Sequence, residues 1–427
     1  MKDFFILCPF TFPDFSHLRT IRKRTHIMHY ILADNPAIVH QLKPFTLVRP
    51  VAYIRVGILT IIEKWEYLLG EKPKYLLLEE HLQAKFSSLI PDASASSFLQ
   101  LDSSICPNKM LVEAIQQLNP GEMLQDSAGN PIAFYMDGAS MGEEEIPNPK
   151  NTIVYSGELT RISHLWDIFK HNGAQIKADF DLLTQGRESA PITDPHTVVY
   201  NPENVFLEEG VSLKACVLNA EKGVIYLGKN SQVSEGSIIQ GNFALGAHAV
   251  INPGAKMRGD TTIGTYCKVG GEISNSVFFG YSNKGHDGFL GNSVVGEWCN
   301  FGADTNCSNL KNNYANIKVW NYEVDDFTDS GQQFCGVMMG DHSKAGINTM
   351  FNTGTVVGVN ANVFGGGFPP KFVPSFAWGG ADQGFDTYQL EKAFEAADRM
   401  MQRRGKSCDE AEKTILEYVF KNRKSIS

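Results

Sequence analysis

The sequence predicts a parallel β-helix of stacked coils, preceded by an α/β unit and followed by helices. Three observations carry this. Apolar residues recur at every sixth position through Leu227, Val233, Ile239, Leu245, Ile251, Met257, Ile263 and Val269. Two positions before most of them stands a small residue (Ser231, Ser237, Ala249, Ala255, Thr261, Cys267), where a short flat strand must turn a tight corner. The same phase returns at Val277, Phe289, Val295 and Phe301, with polar Asn283 in the missing slot, and a second run follows at Met339, Ala345, Phe351, Val357 and Val363. A period of six fits neither a helix nor a simple exposed hairpin sheet. It is the pattern of a hexapeptide β-helix, in which one coil cannot bury its apolar slot alone and coils must stack.

The chain has 427 residues, enough for two or three domains. A net charge of −9 argues against a general nucleic-acid binder, although a local basic pocket for a phosphorylated metabolite is compatible with it. The eight cysteines are scattered, without a C-x-x-C pair or a histidine at zinc spacing, and several fall inside hexads as small apolar residues. That usage fits a reducing cytoplasm better than a disulfide framework. The opening MKDFFILCPFTF is short, broken by proline and lacks a small-residue cleavage site, so neither a signal peptide nor a membrane span is expected.

In chain order, residues 1–27 read as an extension and 28–190 as the α/β unit. His29–Ala33 is a strand ending at the turn Asp34-Asn35-Pro36. A helix is expected around Ile58–Leu69, a strand at Tyr75–Leu78 and a helix at Lys109–Gln117. Residues 138–151 read as a loop and 159–186 as helical, interrupted at Gly173. The β-helix domain is placed at 200–380, with stacked strands from about Val205 to Val363. The C-terminal helices are placed at 386–422, the second capped by Ser407 with Glu410.

A β-helix is mostly scaffold, so chemistry is sought where its rule breaks. The clearest break is Gly280–Gly291, GYSNKGHDGFLG, where glycines flank His286. Glycine lets backbone approach a ligand closely, and a histidine accepts a proton near neutral pH. A surface histidine in a loose corner is the plainer alternative. His248 and His342 lie in regular hexads and read as structural.

The stretch GHDGFLGNSVVGEWCNFGADTNCSNLK resembles the acetyltransferase half of the bifunctional N-acetylglucosamine-1-phosphate uridyltransferase / glucosamine-1-phosphate N-acetyltransferase family. His286, Leu290-Gly291 and Asn300-Phe301-Gly302-Ala303-Asp304-Thr305 match its motifs; Phe289 and Asp304 depart from the family's Tyr and Gly. The resemblance implies a left-handed β-helix and a homotrimer with sites at subunit contacts; the insertion Ser308–Gly336 is a candidate arm into such a contact, a loop with its own packing being the alternative. The resemblance also implies His286 as general base and Asn300 in the acetyl-transfer site; Phe289, standing where the family has Tyr, and Asn283, the polar residue in an apolar slot, are the further candidates for that site. Acetyl-CoA is the implied co-substrate. The family's sugar-phosphate cations lack clean counterparts, and Lys256, Arg258, Lys268 and Lys284 are the substitutes at hand.

The N-terminal segment resembles a sugar nucleotidyltransferase. HYILA is followed by Asp34-Asn35 rather than Gly-Gly, then by Lys43-Pro44-Phe45-Thr46 and Arg49-Pro50. RPVAYIRVGILTIIEKWE with the hexad array resembles an alternative bacterial branch of the same bifunctional family. With UTP and a sugar phosphate as the implied substrates, Arg49 and Arg55 are candidate nucleotide-binding cations, pairing with acidic side chains being the equal alternative, and Asp102 is a candidate Mg²⁺ ligand, a turn residue in QLDSS being the plainer reading. The expected function is acetyl transfer to glucosamine-1-phosphate and uridylyl transfer to N-acetylglucosamine-1-phosphate, giving UDP-N-acetylglucosamine. Two other readings stay open: a nucleotidyltransferase for another sugar-1-phosphate using the β-helix as an oligomerisation platform, and a non-catalytic assembly or sensing protein. No nucleic-acid or membrane partner is expected.

Overall fold

A computed structural model describes residues 29–76, 79–86, 97–137 and 148–424. The expected extension 1–27, residues 77–78 of the expected strand Tyr75–Leu78 and residues 138–147 of the expected loop lie outside the described residues.

The N-terminal unit is built on a six-stranded mixed sheet, in the order Lys74–Leu76, His29–Ala33, Ser97–Asp102, Pro131–Asp137, Glu122–Gln125, Asn151–Val154. His29–Ala33 runs parallel to both neighbours and its three central residues are all buried, as a strand covered on both faces requires. The helix Ile61–Leu69 starts at a capping box of Thr60 and Glu63 and stops at Gly70, whose φ is +75°. The expected helix at 159–186 is Leu165–Thr184, and Gly173 does not interrupt it. A Cβ at Gly173 would lie 2.0 Å from Asp260 Oδ1, so the glycine lets the helix press onto a corner of the β-helix. Asn172 completes that contact: its Nδ2 donates to the Asp260 carbonyl (2.8 Å), and its Oδ1 accepts from Gly57 N (2.7 Å) and Thr262 Oγ1 (3.1 Å).

The β-helix has three faces. Parallel strands stack from Val205–Leu207 to Phe372–Val373 on the first and from Ser212–Leu213 to Ala377–Gly380 on the second. The third stacks from Val198–Tyr200 to Phe289–Gly291 and ends in the pair Asn306–Cys307 and Met350–Phe351. Leu227, Leu245 and Ile263 are register partners in successive coils, three hexads apart. All eight expected residues from Leu227 to Val269 are buried in one interior cluster. The small residues Ser231, Ser237, Ala249, Ala255, Thr261 and Cys267 are buried at the turns between faces.

The phase then shifts, which corrects the sequence reading. Ile263 pairs with Phe278, so this coil is three residues short of the regular repeat. Phe278, Lys284 and Leu290 therefore occupy the inward slots, and Val277, Asn283 and Phe289 point outward. The frame recovers at Val295 and Phe301. Val277 joins Val294, Met338 and Val356 on the outside of the first face, where the N-terminal unit and the C-terminal helices cover them in a second core. A row of αL corner residues stacks ring on ring: His248, Tyr266, Tyr281, Trp298 and His342.

The insertion carries an antiparallel hairpin, Lys318–Asn321 with Asp326–Asp329. It packs on its own chain: Trp320 stacks on Phe372 at 4.1 Å, and Glu323 and Asn321 hydrogen-bond Gln41. At the C-terminus, Asp386 lies in the strand Gly384–Thr387, which pairs antiparallel with Ala377–Gly380 and closes the stack. The helices are Leu390–Gln402 and Glu410–Lys421; Asp409 rather than Ser407 caps the second, accepting from Glu412 N at 2.9 Å. Among the described residues all seven cysteines are free and buried, and no helix is long and apolar enough to cross a membrane.

Candidate active site

The corner carrying His286 is formed where the strand Asn283–Lys284 turns toward Phe289–Gly291. The His286 side chain is exposed, while the backbone around it is held carbonyl by carbonyl. Gly285 O accepts from Asn252 Nδ2 (2.7 Å). His286 O and Asp287 O accept from Lys284 Nζ (2.8 and 3.0 Å). Gly288 O accepts from Glu272 N (3.2 Å), and Phe289 N donates to Asn306 Oδ1 (2.8 Å). Gly288 has φ +111°, and a Cβ there would lie 2.2 Å from the Thr305 carbonyl. A Cβ at Gly271 would meet Gly288 O at 2.6 Å and His286 O at 2.9 Å. These two glycines let the corner sit down on its neighbouring coils.

Lys268, Asn283, Asn300 and Lys344 are successive register partners on one outer face, so Asn300 lies one strand beyond Asn283. Neighbouring strands are about 4.8 Å apart, which puts both amides within one substrate's reach of the corner. Asn283 Oδ1 is buried without a hydrogen-bond partner, an acceptor left over for a donor from outside. Phe289 is half-buried on the adjacent face, its ring against Gly291, in a row with Lys256 and Glu272.

The four expected sugar-phosphate cations separate. Lys256 and Lys268 are exposed on the two faces that meet at the corner, and Arg258 is exposed but pairs with Glu272 at 3.1 Å. Lys284 is not available to a sugar phosphate: it is 1% exposed, inside the coil, with its ammonium on main-chain carbonyls. Burial pulls its pKa down to about 8, against the opposing charges of Asp287 and Asp304.

In the N-terminal unit the expected residues have internal partners. Arg49 is buried, paired with Asp341 and 3.7 Å from Glu297, its guanidinium 5.0 Å from the Phe279 ring centre. It is a bolt between the N-terminal unit and the β-helix, which leaves no free guanidinium for a nucleotide. Arg55 reaches the Phe279 carbonyl (3.2 Å) and the Ile58 carbonyl, with Glu63 at 4.0 Å. Asp102 Oδ1 accepts from Ser104 N (2.8 Å) and Oγ (2.6 Å), and its Oδ2 faces Arg161 at 3.6 Å. Beside it, Asp34 accepts from Tyr75 Oη, Ser103 Oγ and Val51 N. Burial raises the pKa of both carboxyls despite these donors. With their oxygens already engaged, this pair does not fit a Mg²⁺ site, and no cluster of three His, Cys, Asp or Glu suited to a metal occurs among the described residues.

Sequence reasoning missed Asp34, Asn306 and the true place of Lys284. Only Lys284 carried a signal, a charge within one position of an apolar slot.

Residues 30–188 match the family described as sugar nucleotidyl transferase. The bifunctional sugar-1-phosphate nucleotidylyltransferase/acetyltransferase of Sulfurisphaera tokodaii is 29% identical over 147 residues, which are 34% of this chain and 36% of that protein. The bifunctional protein GlmU of Gloeobacter violaceus is 32% identical over 93 residues, 21% of this chain and 20% of that protein. GlmU of Methanocaldococcus jannaschii is 30% identical over 115 residues, 27% of this chain and 26% of that protein. The chain thus spans between 20% and 36% of the length of these relatives. Among solved structures, the polySia specific acetyltransferase NeuO aligns over 49% of this chain and 96% of that chain, at 11% identity and a TM-score of 0.26. Residues 30–188 carry the sugar nucleotidyl transferase pattern, ahead of a hexapeptide-repeat β-helix, in a chain similar to the bifunctional nucleotidylyltransferase/acetyltransferases.

Proposed function

We propose that this chain is a transferase of sugar-nucleotide biosynthesis whose β-helix moves an acetyl group from acetyl-CoA to the amine of glucosamine-1-phosphate. The observation that carries this reading is the exposed His286 on a corner anchored at four successive carbonyls, beside the unpartnered acceptor of Asn283. The free amine attacks the thioester carbonyl, and a C–N bond forms while the amine proton passes to the His286 imidazole. The C–S bond breaks, and the thiolate of coenzyme A leaves and takes up a proton. One positioned base supplies about 10²–10⁴-fold. Holding both substrates supplies much of the remainder, and Asn300 contributes by orienting the reacting groups. Lys256 and Lys268, on the faces flanking the corner, are the cations that would meet the sugar phosphate. A homotrimer in the cytoplasm is part of the same reading, with acyl-CoA lying between subunits.

Uridylyl transfer from UTP to N-acetylglucosamine-1-phosphate by residues 28–190 rests on the family match alone. A second reading makes this unit a brace for the β-helix, and the burial of Arg49 against Asp341 favours it. The test is to incubate the purified chain with acetyl-CoA and a panel of amino-sugar phosphates, following free thiol, and separately with UTP, Mg²⁺ and sugar-1-phosphates, following pyrophosphate. Thiol release that needs an amino-sugar phosphate and disappears in His286→Asn supports acetyl transfer; release unchanged in that variant overturns it. Pyrophosphate release supports the uridylyl half, and none supports the brace.

A further inference from the structure

We propose that Lys284 is a positioning residue for acyl transfer: from inside the coil its ammonium holds the His286–Asp287 main chain and so keeps the imidazole at the outer corner. The inference rests on the reading of His286 as base.

Four inward neighbours of this slot, Val269, Phe278, Leu290 and Phe301, are apolar and buried. For the core alone, an apolar side chain would serve as well or better, because a buried charge costs desolvation that only good partners offset. The partners of Lys284 are specific. Its Nζ meets His286 O at 2.8 Å and Asp287 O at 3.0 Å, with Gly270 O at 3.5 Å. Two of these three carbonyls belong to the corner itself, one of them to His286. The charges that face Nζ are Asp287 on its own corner and Asp304 on the next coil, and both favour the ammonium. The neutral amine has two N–H donors for three carbonyls, so losing the proton loosens the corner. Burial brings that proton loss down to about pH 8, well below a solvated lysine. A rate that depends on a held corner therefore falls as pH rises through about 8.

The test compares wild type, Lys284→Met and Lys284→Gln. The methionine fills the slot without a donor and leaves the His286 and Asp287 carbonyls, which face the buried ammonium, without that partner. Expected for Lys284→Met are a modestly lower melting temperature and faster amide hydrogen exchange in 285–291. With acetyl-CoA and glucosamine-1-phosphate, kcat for thiol release should fall about 10-fold or more with KM little changed, and the decline near pH 8 should be absent. Lys284→Gln keeps an amide donor and should recover part of the protection and of kcat, again without the alkaline decline; it also serves if the methionine variant does not fold. Wild-type kcat, exchange and pH profile in both variants, while His286→Asn is inactive, overturn the role of Lys284 and leave the base assignment standing. Transfer that survives in His286→Asn overturns both.

Discussion

Replacing Arg49 with methionine removes the bolt between the N-terminal unit and the β-helix. Arg49 is 5% exposed and Asp341 4%, so the pair is screened from water on both sides. Removing one partner of such a pair costs about 3–5 kcal/mol, because the other charge stays buried and unpaired. Asp341 can escape part of that cost by taking a proton. Burial already pushes its pKa up to about 6 against the pull of Arg49, and without Arg49 it moves higher. The expected loss at pH 7 is therefore near the lower end, about 3 kcal/mol. The sign of the pH dependence follows. Between the ordinary carboxyl value and about 6, folded Asp341 binds more protons than unfolded Asp341, so its contribution to stability falls as pH rises through that window. In Arg49→Met the fall extends to higher pH, and the variant's deficit is smaller at pH 5 than at pH 7. Urea unfolding followed by tryptophan fluorescence measures this, since Trp65 lies in the N-terminal unit and Trp298 in the β-helix, both buried. Adding Asp341→Leu to Arg49→Met should recover part of the loss, with a coupling of about 1–3 kcal/mol. A loss below about 1 kcal/mol in Arg49→Met, together with abolished UTP turnover, would refute the bolt and return Arg49 to nucleotide binding.

His286→Asn should lower acetyl-transfer kcat by about 10²-fold or more with an unchanged melting temperature, since the side chain is exposed; circular dichroism and thiol release check the two halves. Gly288→Ala should cost about 1–3 kcal/mol and reduce kcat, because φ +111° and the Thr305 carbonyl at 2.2 Å leave a Cβ no room; wild-type stability and activity would contradict the corner's packing. Ile251→Asp should cost several kcal/mol in urea unfolding, as it places an unpaired charge at a fully buried interior slot. Glu412 is held well below the usual carboxylate range: burial works to raise it, but His342 and Lys85 outweigh burial. Its contribution is therefore present above the ordinary glutamate value and lost as pH falls, so Glu412→Gln should flatten the acid side of the stability profile.

The sequence by itself determined the β-helix, because a six-residue phase is a local property. Each of Leu227 to Val269 needs only its own place in the repeat to point inward. The same rule marked out the His286 corner, as the stretch where glycine and charge replace the small and apolar residues of the repeat. Only the tertiary structure decided which residue beside His286 faces in. The coil after Ile263 is three residues short, and inward direction there is set by the strand stacked beneath, so Lys284 rather than Asn283 pairs with Val269. Nor could spacing assign Arg49, whose carboxylate partner lies 292 positions away. The pattern around it, a cation beside proline, reads equally as phosphate contact or as ion pair. Gly173 was ambiguous for the same reason: a helix tolerates it at a cost, and what it makes room for, Asp260, becomes visible only when the helix lies on the β-helix. Periodic burial is written along the chain, whereas the pairing of isolated charges and the close approach of distant backbones depend on which surfaces the fold brings together.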